Sequence, residues 1–165
     1  MLGKMVVLDE EKCNGWIEVE PLWSLLEGAG IATAVFHWVG SEGKVPGGRA
    51  PGRFRLFSGR TTAKVKVDQI LAWLDIPEAR DRPRLVTSWF RGGDRAGHVH
   101  GPGSEAVRKT LREQDRALDR LIRGLDDRGA LDHTTLMLVS DHGMAAVERR
   151  VDLQAALHRE NVAAK

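Results

Sequence analysis

Thr134-Thr135-Leu136-Met137-Leu138-Val139-Ser140-Asp141-His142-Gly143-Met144 is the stretch on which the reading of the fold turns. Its first six residues form a short, continuous, apolar and β-branched run, which predicts a fully buried strand rather than a helix. Asp141 and His142 then stand side by side at the carboxyl end of that strand, where open α/β sheets place their ligand sites. A carboxylate and an imidazole both suit a borderline cation such as zinc. Gly143 lets the backbone turn sharply or approach whatever is bound. An Asp at a strand end is also an ordinary turn former, so the reading rests on a second constellation.

That constellation lies one βαβ unit upstream, a unit of roughly 30 or more residues. Leu85 to Phe90 predicts another short strand, followed by Arg91-Gly92-Gly93-Asp94-Arg95-Ala96-Gly97-His98-Val99-His100-Gly101-Pro102-Gly103. Gly and Pro dictate the path of this loop. One helical turn within it would put Asp94 and His98, four residues apart, on one side. Gly97 would let the backbone pack against a neighbouring loop. His100, two residues beyond His98, competes with it for a ligand role.

Between the two loops, Ser104 to Asp127 carries Val107, Leu111, Leu118, Leu121, Ile122 and Leu125 as one apolar stripe on a charged helix. Ser104 is its expected N-cap and Gly129 its stop. Parallel strands joined by this helix bring both ligand loops to one edge of the sheet. Two Asp/His pairs at one edge imply two metal ions or one enclosed ion. Two are favoured, because paired cations clamp the attacking and leaving oxygens of a phosphoryl displacement.

Further elements follow from pattern. Pro21 to Gly28 predicts a short helix with Leu22, Leu25 and Leu26 inward, and Ile31 to Phe36 a strand. Gly40 to Gly59, rich in Gly, Pro and Arg, predicts a long surface loop. Thr61 to Asp75 predicts a helix anchored by Ile70, Leu71 and Leu74, Val151 to His158 a last helix, and Glu160 to Lys165 a frayed end. Alternating strands and helices make the chain α/β, with a mainly parallel sheet, helices on both faces, and strands at 31–36, 85–90 and 134–139. So small a sheet suggests an incomplete domain with an unpaired edge.

Asp94-x-x-Gly97-His98-x-x-Gly101-Pro102 followed by Ser140-Asp141-His142-Gly143-Met144 resembles the nucleotide pyrophosphatase/phosphodiesterase family of the alkaline phosphatase superfamily. Glu20-Pro21-Leu22-Trp23 with Gly30, Phe36-His37-Trp38-Val39-Gly40-Ser41, Val67 to Leu74 and Arg82-Pro83 are similar to further family segments. The resemblance runs from about Trp16 to Val147. It implies an alkaline phosphatase-like fold and a two-zinc hydrolase of phosphodiester or nucleotide pyrophosphate bonds, acting on small molecules. Asp94 and His98 would hold one ion, Asp141 and His142 the other.

In the family's mechanism a Thr attacks phosphorus and a covalent ester is then hydrolysed. No Ser or Thr of this chain maps to that position: Thr33 and Thr87 fall in predicted strands, and Thr61 and Thr62 open a helix. The resemblance places the nucleophile and its neighbouring Asp before Met1 and a further His ligand beyond Lys165. Residues 1–165 are therefore expected to be one α/β segment with both metal loops, inactive by itself. The alternative is a truncated or degenerate relative that keeps the fold and at most binds metal or nucleotide. Family Tyr positions fall here on Phe57 and Trp89.

At 165 residues with 42% hydrophobic and 29% charged residues, the chain is of ordinary globular composition. A net charge of +2 gives no argument for a nucleic-acid polymer as partner. Arg49, Arg53, Arg55, Arg60, Arg91 and Arg95 read first as a solvated surface. Cys13 is single, so it can form no internal disulfide. No run is long enough to span a membrane, and Met1 to Leu8 does not read as a signal peptide. An extracytoplasmic location is implied only by family analogy. His37, His133 and His158 read as surface or satisfied core residues, and the five Trp as mostly packing residues.

Overall fold

A computed structural model describes residues 18–41, 48–149 and 151–159. Trp16, Cys13, Met1 to Leu8 and the end expected to fray, Glu160 to Lys165, lie outside them. The described elements are α1 (Leu22–Gly28), β1 (Thr33–Phe36), β2 (Arg53–Arg55), α2 (Ala63–Leu74), β3 (Leu85–Ser88), α3 (Gly93–His100), α4 (Glu105–Asp126), a 3-10 turn (Leu131–His133) and α5 (Leu153–Arg159). The three strands form one parallel sheet in the order β2-β1-β3. Ala34 pairs with Arg53 on one side and Val86 on the other.

β1 is buried at all four positions, because it is central and covered on both faces. Ala34 and Phe36 point into a core with Val67, Ile70, Leu71 and Trp73 of α2 and Ala117, Leu121 and Leu125 of α4. On the opposite face Thr33 meets α1. Glu27 accepts hydrogen bonds there from the Thr33 amide at 2.6 Å, its hydroxyl at 2.7 Å and the Gly52 amide at 2.8 Å. One carboxylate thereby ties α1, β1 and the approach to β2, using charge-assisted bonds.

Ser104 caps α4 as expected, and Thr62 caps α2. Thr62 Oγ1 accepts from the Val65 amide at 3.3 Å, and Ser104 Oγ from the Val107 amide at 3.3 Å. α2 and α4 cross closely at Gly124, where an added Cβ would lie 2.5 Å from Leu71 Cδ1. Gly124→Val is accordingly expected to destabilise the chain by about 1–3 kcal/mol, the usual result of overpacking a filled core. Urea unfolding checks this; an unchanged midpoint would mean that the helices are free to separate.

Four expectations are corrected. The first concerns Thr134 to Val139, which forms no strand. The chain enters this run extended, with Thr134 at φ −116° and ψ 124°, yet it joins no ladder. Met137 and Leu138 are 79% and 76% exposed. β-propensity describes fitness for a half-buried pleated surface, and a ladder partner must also be at hand. Secondly, the third strand is instead Arg53–Arg55, inside the stretch expected to be loop. A three-residue strand on a sheet edge needs little apolar pattern.

Thirdly, α1 buries Trp23 and Ser24, while Leu22 and Leu25 are exposed. In a helix of two turns the large indole and the bond from Ser24 Oγ to Glu20 at 2.6 Å set the inward face. Fourthly, α4 buries Ala117, Leu121, Gly124 and Leu125, leaving Leu111 and Ile122 exposed. Close approach to α2 selects small residues at the contact and rotates the inward face away from the full stripe.

Candidate metal centre

The strands end on an aromatic shelf. Phe36 and His37 close β1, Phe57 follows β2, and Trp89 and Phe90 follow β3. The Phe36 and His37 rings meet edge to face at 4.6 Å, with further ring pairs His37–Phe57 at 5.4 Å and Phe57–Trp89 at 5.9 Å. His37 is buried, with φ at 58°, and its amide donates to the Arg55 carbonyl at 3.2 Å. It is a core histidine. Trp23 and Trp73 are also buried.

From this shelf the chain turns through Phe90 to Gly93 into α3, and α4 clamps the turn. Gln114 Nε2 donates to the Arg91 carbonyl at 3.2 Å. Gly92 has φ 139°, and a Cβ there would stand 2.4 Å from Thr110 Cγ2. Only glycine meets both demands. Arg91 Nη1 donates to the Gly59 carbonyl at 3.1 Å, so this member of the basic loop set is structural. Arg55 likewise donates to Gln69 at 2.6 Å and lies over the Trp73 ring.

α3 realises the helical turn expected between Asp94 and His98. Asp94 Oδ1 stands 3.2 Å from His98 Nε2. His100 follows two residues later, about 200° further round the helix axis, and so on another side from Asp94.

Asp141 and His142 follow Val139, with a bend at Asp141, and this segment comes to α3. Met144 packs directly on Gly97, where a Cβ would sit 2.3 Å from the thioether sulfur. The missing side chain of Gly97 is thus what lets the second loop close on the first. His142 Nε2 reaches within 3.7 Å of Asp94 Oδ1 and 3.9 Å of Asp141 Oδ2. Asp94 therefore stands between two imidazoles brought from separate loops.

The His142 ring is oriented by its other nitrogen, Nδ1, 2.8 Å from the Gly143 carbonyl. That bond, then the negative charges of Asp141 and Asp94, raises its pKa above the ordinary value. With Nδ1 donating to that carbonyl, Nε2 is the nitrogen turned toward the carboxylates and the one available to a cation, as in metal-ligating histidines. The four side chains are half or more exposed. Two carboxylates and two imidazoles match the donor chemistry of a borderline divalent cation. Among the described residues no three His, Cys, Asp or Glu side chains converge into a group that could hold a metal ion.

A parallel sheet with helices on both faces makes the chain an α/β protein, and its likeness to solved structures gives it the alkaline phosphatase-like fold. Murine ectonucleotide pyrophosphatase/phosphodiesterase 5, solved as an inactive variant in complex with AMP, superposes with a TM-score of 0.60 at 24% identity, over 70% of this chain and 30% of that one. Residues 2–164 match the family model of type I phosphodiesterase / nucleotide pyrophosphatase, and the chain belongs to that family.

An uncharacterized pyrophosphatase/phosphodiesterase of Schizosaccharomyces pombe is 34% identical over 96% of this chain and 35% of its own length. Venom phosphodiesterase of Naja atra is 35% identical over 80% of this chain and 16% of its own. Ectonucleotide pyrophosphatase/phosphodiesterase family member 1 of Mus musculus is 32% identical over 82% and 15% respectively. The chain thus spans about a third or less of these relatives. Among the described residues no helix is long and apolar enough to cross a membrane.

Sequence reasoning missed one residue, Lys66. It is only 2% exposed and is the largest fully buried side chain among the described residues. A Lys in the inward stripe of a charged helix gives no pattern signal, because lysines ordinarily extend to solvent.

Proposed function

We propose that this chain is the metal-loop segment of a phosphodiester or nucleotide pyrophosphate hydrolase acting on small molecules. Asp94 and His98 would be ligands to one divalent cation and Asp141 and His142 to a second, with zinc the expected ion. The observation that carries this reading is Asp94 Oδ1 standing 3.2 Å from His98 on its own helix and 3.7 Å from His142, which a separate, later segment brings up. Cations held there would supply Lewis acidity toward phosphate oxygens. The chain's own contribution is orientation: α3 holds Asp94 and His98 on one face, and the Gly97–Met144 contact brings up His142.

In this reading residues 1–165 form one α/β segment without the nucleophile, which together with a further ligand belongs to sequence outside that range. Each ion would then have two ligands from this segment, fewer than the three protein ligands typical of catalytic zinc. The segment alone is expected to turn over an aryl phosphodiester negligibly with zinc present. An extracytoplasmic setting and a nucleotide-like substrate are what the named relatives suggest for the whole protein.

Zinc calorimetry on the chain tests the ligand set. His98→Ala is expected to weaken binding tenfold or more, and His100→Ala less than twofold, since His100 lies away from Asp94. Equal losses would mean that the loop is read in the wrong register, and no zinc binding by the unaltered chain would remove the proposal.

A further inference from the structure

Lys66 is the feature that the metal reading leaves unused. Its side chain rises from α2 into the core, and its Nζ donates to the Trp89 carbonyl. The aromatic faces of Phe36, Trp89 and Phe90 surround the ammonium, with ring centroids at 5.5, 5.5 and 5.6 Å. Among the described residues no carboxylate pairs with it. A buried cation held by one carbonyl and three rings is an expensive device for packing alone, because an apolar isostere would fill the same space without desolvating a charge. Ring faces do attract a desolvated ammonium, and the carbonyl gives it direction.

The place of that carbonyl is the informative point. Trp89 is the first residue after β3, and its amide still donates to the Phe36 carbonyl at 3.2 Å. One residue later the chain leaves the sheet for the turn that launches α3, with Asp94 in its first turn. The Trp89 carbonyl is the last sheet-edge group before that departure. α4 holds the far side of the turn through Gln114 and Thr110, and Lys66 of α2 holds the near side.

We propose that Lys66 is a positioning residue: by binding the Trp89 carbonyl from beneath the aromatic shelf, it sets the direction in which the chain leaves β3 and so the placement of Asp94 and His98. It touches neither ligand, and its importance for metal binding rests on the reading of those residues as ligands. Burial lowers its pKa to about 8, in keeping with a cation retained by geometry rather than by a counter-charge.

The test uses the whole 165-residue chain, with Lys66→Met and Lys66→Arg, and has a readout without metal. In the metal-free chain, Lys66→Met is expected to speed amide hydrogen exchange across residues 90–98 tenfold or more, with α4 core amides changing less than twofold. Lys66→Arg, which keeps a donor and a cation, is expected to restore most of the protection. Zinc affinity should fall 10- to 100-fold in Lys66→Met, the range for groups that orient ligands, without a matching loss of thermal stability.

A uniform rise in exchange across the chain, or none at residues 90–98, would overturn the proposal. Should Lys66→Met fail to fold, the unaltered chain still decides. Nitrogen-15 spectra at pH 6 are expected to show one lysine ammonium whose protons exchange at least tenfold more slowly than the rest; its absence would equally overturn the proposal. No zinc binding by the unaltered chain would instead remove the ligand assignment, while the metal-free readouts would still decide whether Lys66 sets the path of the loop.

Discussion

Asp94→Ala is expected to reduce zinc affinity by at least 100-fold, the largest loss of any single substitution in the candidate centre. The reason is positional. Among the described residues Asp94 is the one carboxylate within reach of both His98 and His142, so its removal strips one proposed half-site of its carboxylate and leaves the two imidazoles with no shared anion. Losing Asp141 also removes a carboxylate, but its approach to His142 is the longer one at 3.9 Å. Its loss is expected to cost less, about tenfold. Asp94 is half exposed and lies outside the core, so the fold should be nearly untouched, as for most surface substitutions. Calorimetry with circular dichroism on each variant checks the ranking. Equal losses in both, or affinity in Asp94→Ala like that of the unaltered chain, would put the centre elsewhere.

Stability is expected to rise with pH between about 8 and 10.5, by about 3 kcal/mol in all, and Lys66→Met is expected to abolish that rise. The sign follows from linkage. Burial lowers the Lys66 pKa from 10.5 to about 8, so across this window the unfolded chain holds a proton that the folded chain has released. Stability then increases as the proton becomes harder to retain in the unfolded state. Below pH 8 both states are protonated and the contribution is constant, with the full desolvation cost in place. The size comes from 1.36 kcal/mol per pKa unit. The chain contains no Tyr, which removes the commonest competing titration near pH 10. Urea midpoints at pH 7, 9 and 10.5 would show the slope. A flat or falling profile would mean that Lys66 stays charged at little cost, solvated more fully than its burial indicates.

Local and periodic features were legible from residue types. Helices α2 and α4, the Ser104 cap, the strands at 33–36 and 85–88, and the i,i+4 pair of Asp94 and His98 follow from side-chain period, cap chemistry and glycine placement. These are properties of neighbours in sequence, and the same residues also carried the family resemblance. The family model over residues 2–164 bears out that resemblance, and the parallel sheet bears out the fold class.

Other features depended on what each segment meets. Thr134 to Val139 has a strand's composition, yet among the described residues it finds no ladder partner and stays exposed. Arg53–Arg55 has almost no strand signature and pairs with β1 because that edge is adjacent. The inward faces of α1 and α4 follow from Trp23, and from the close contact of Gly124 with Leu71, rather than from the apolar stripe alone.

By itself, then, the sequence determined the α/β class, the family and the residue types available to hold a cation, because these rest on periodicity and on motifs read within short windows. Only the tertiary structure decided that Met144 seats on Gly97, that Asp94 stands between His98 and His142, and that Lys66 lies under the rings of Phe36, Trp89 and Phe90. Each joins segments tens of residues apart, and a residue's own type or spacing cannot specify which distant surface will close over it. That is set by the packing of α2, α4 and the sheet, where burial of a charge or omission of a Cβ acquires its meaning.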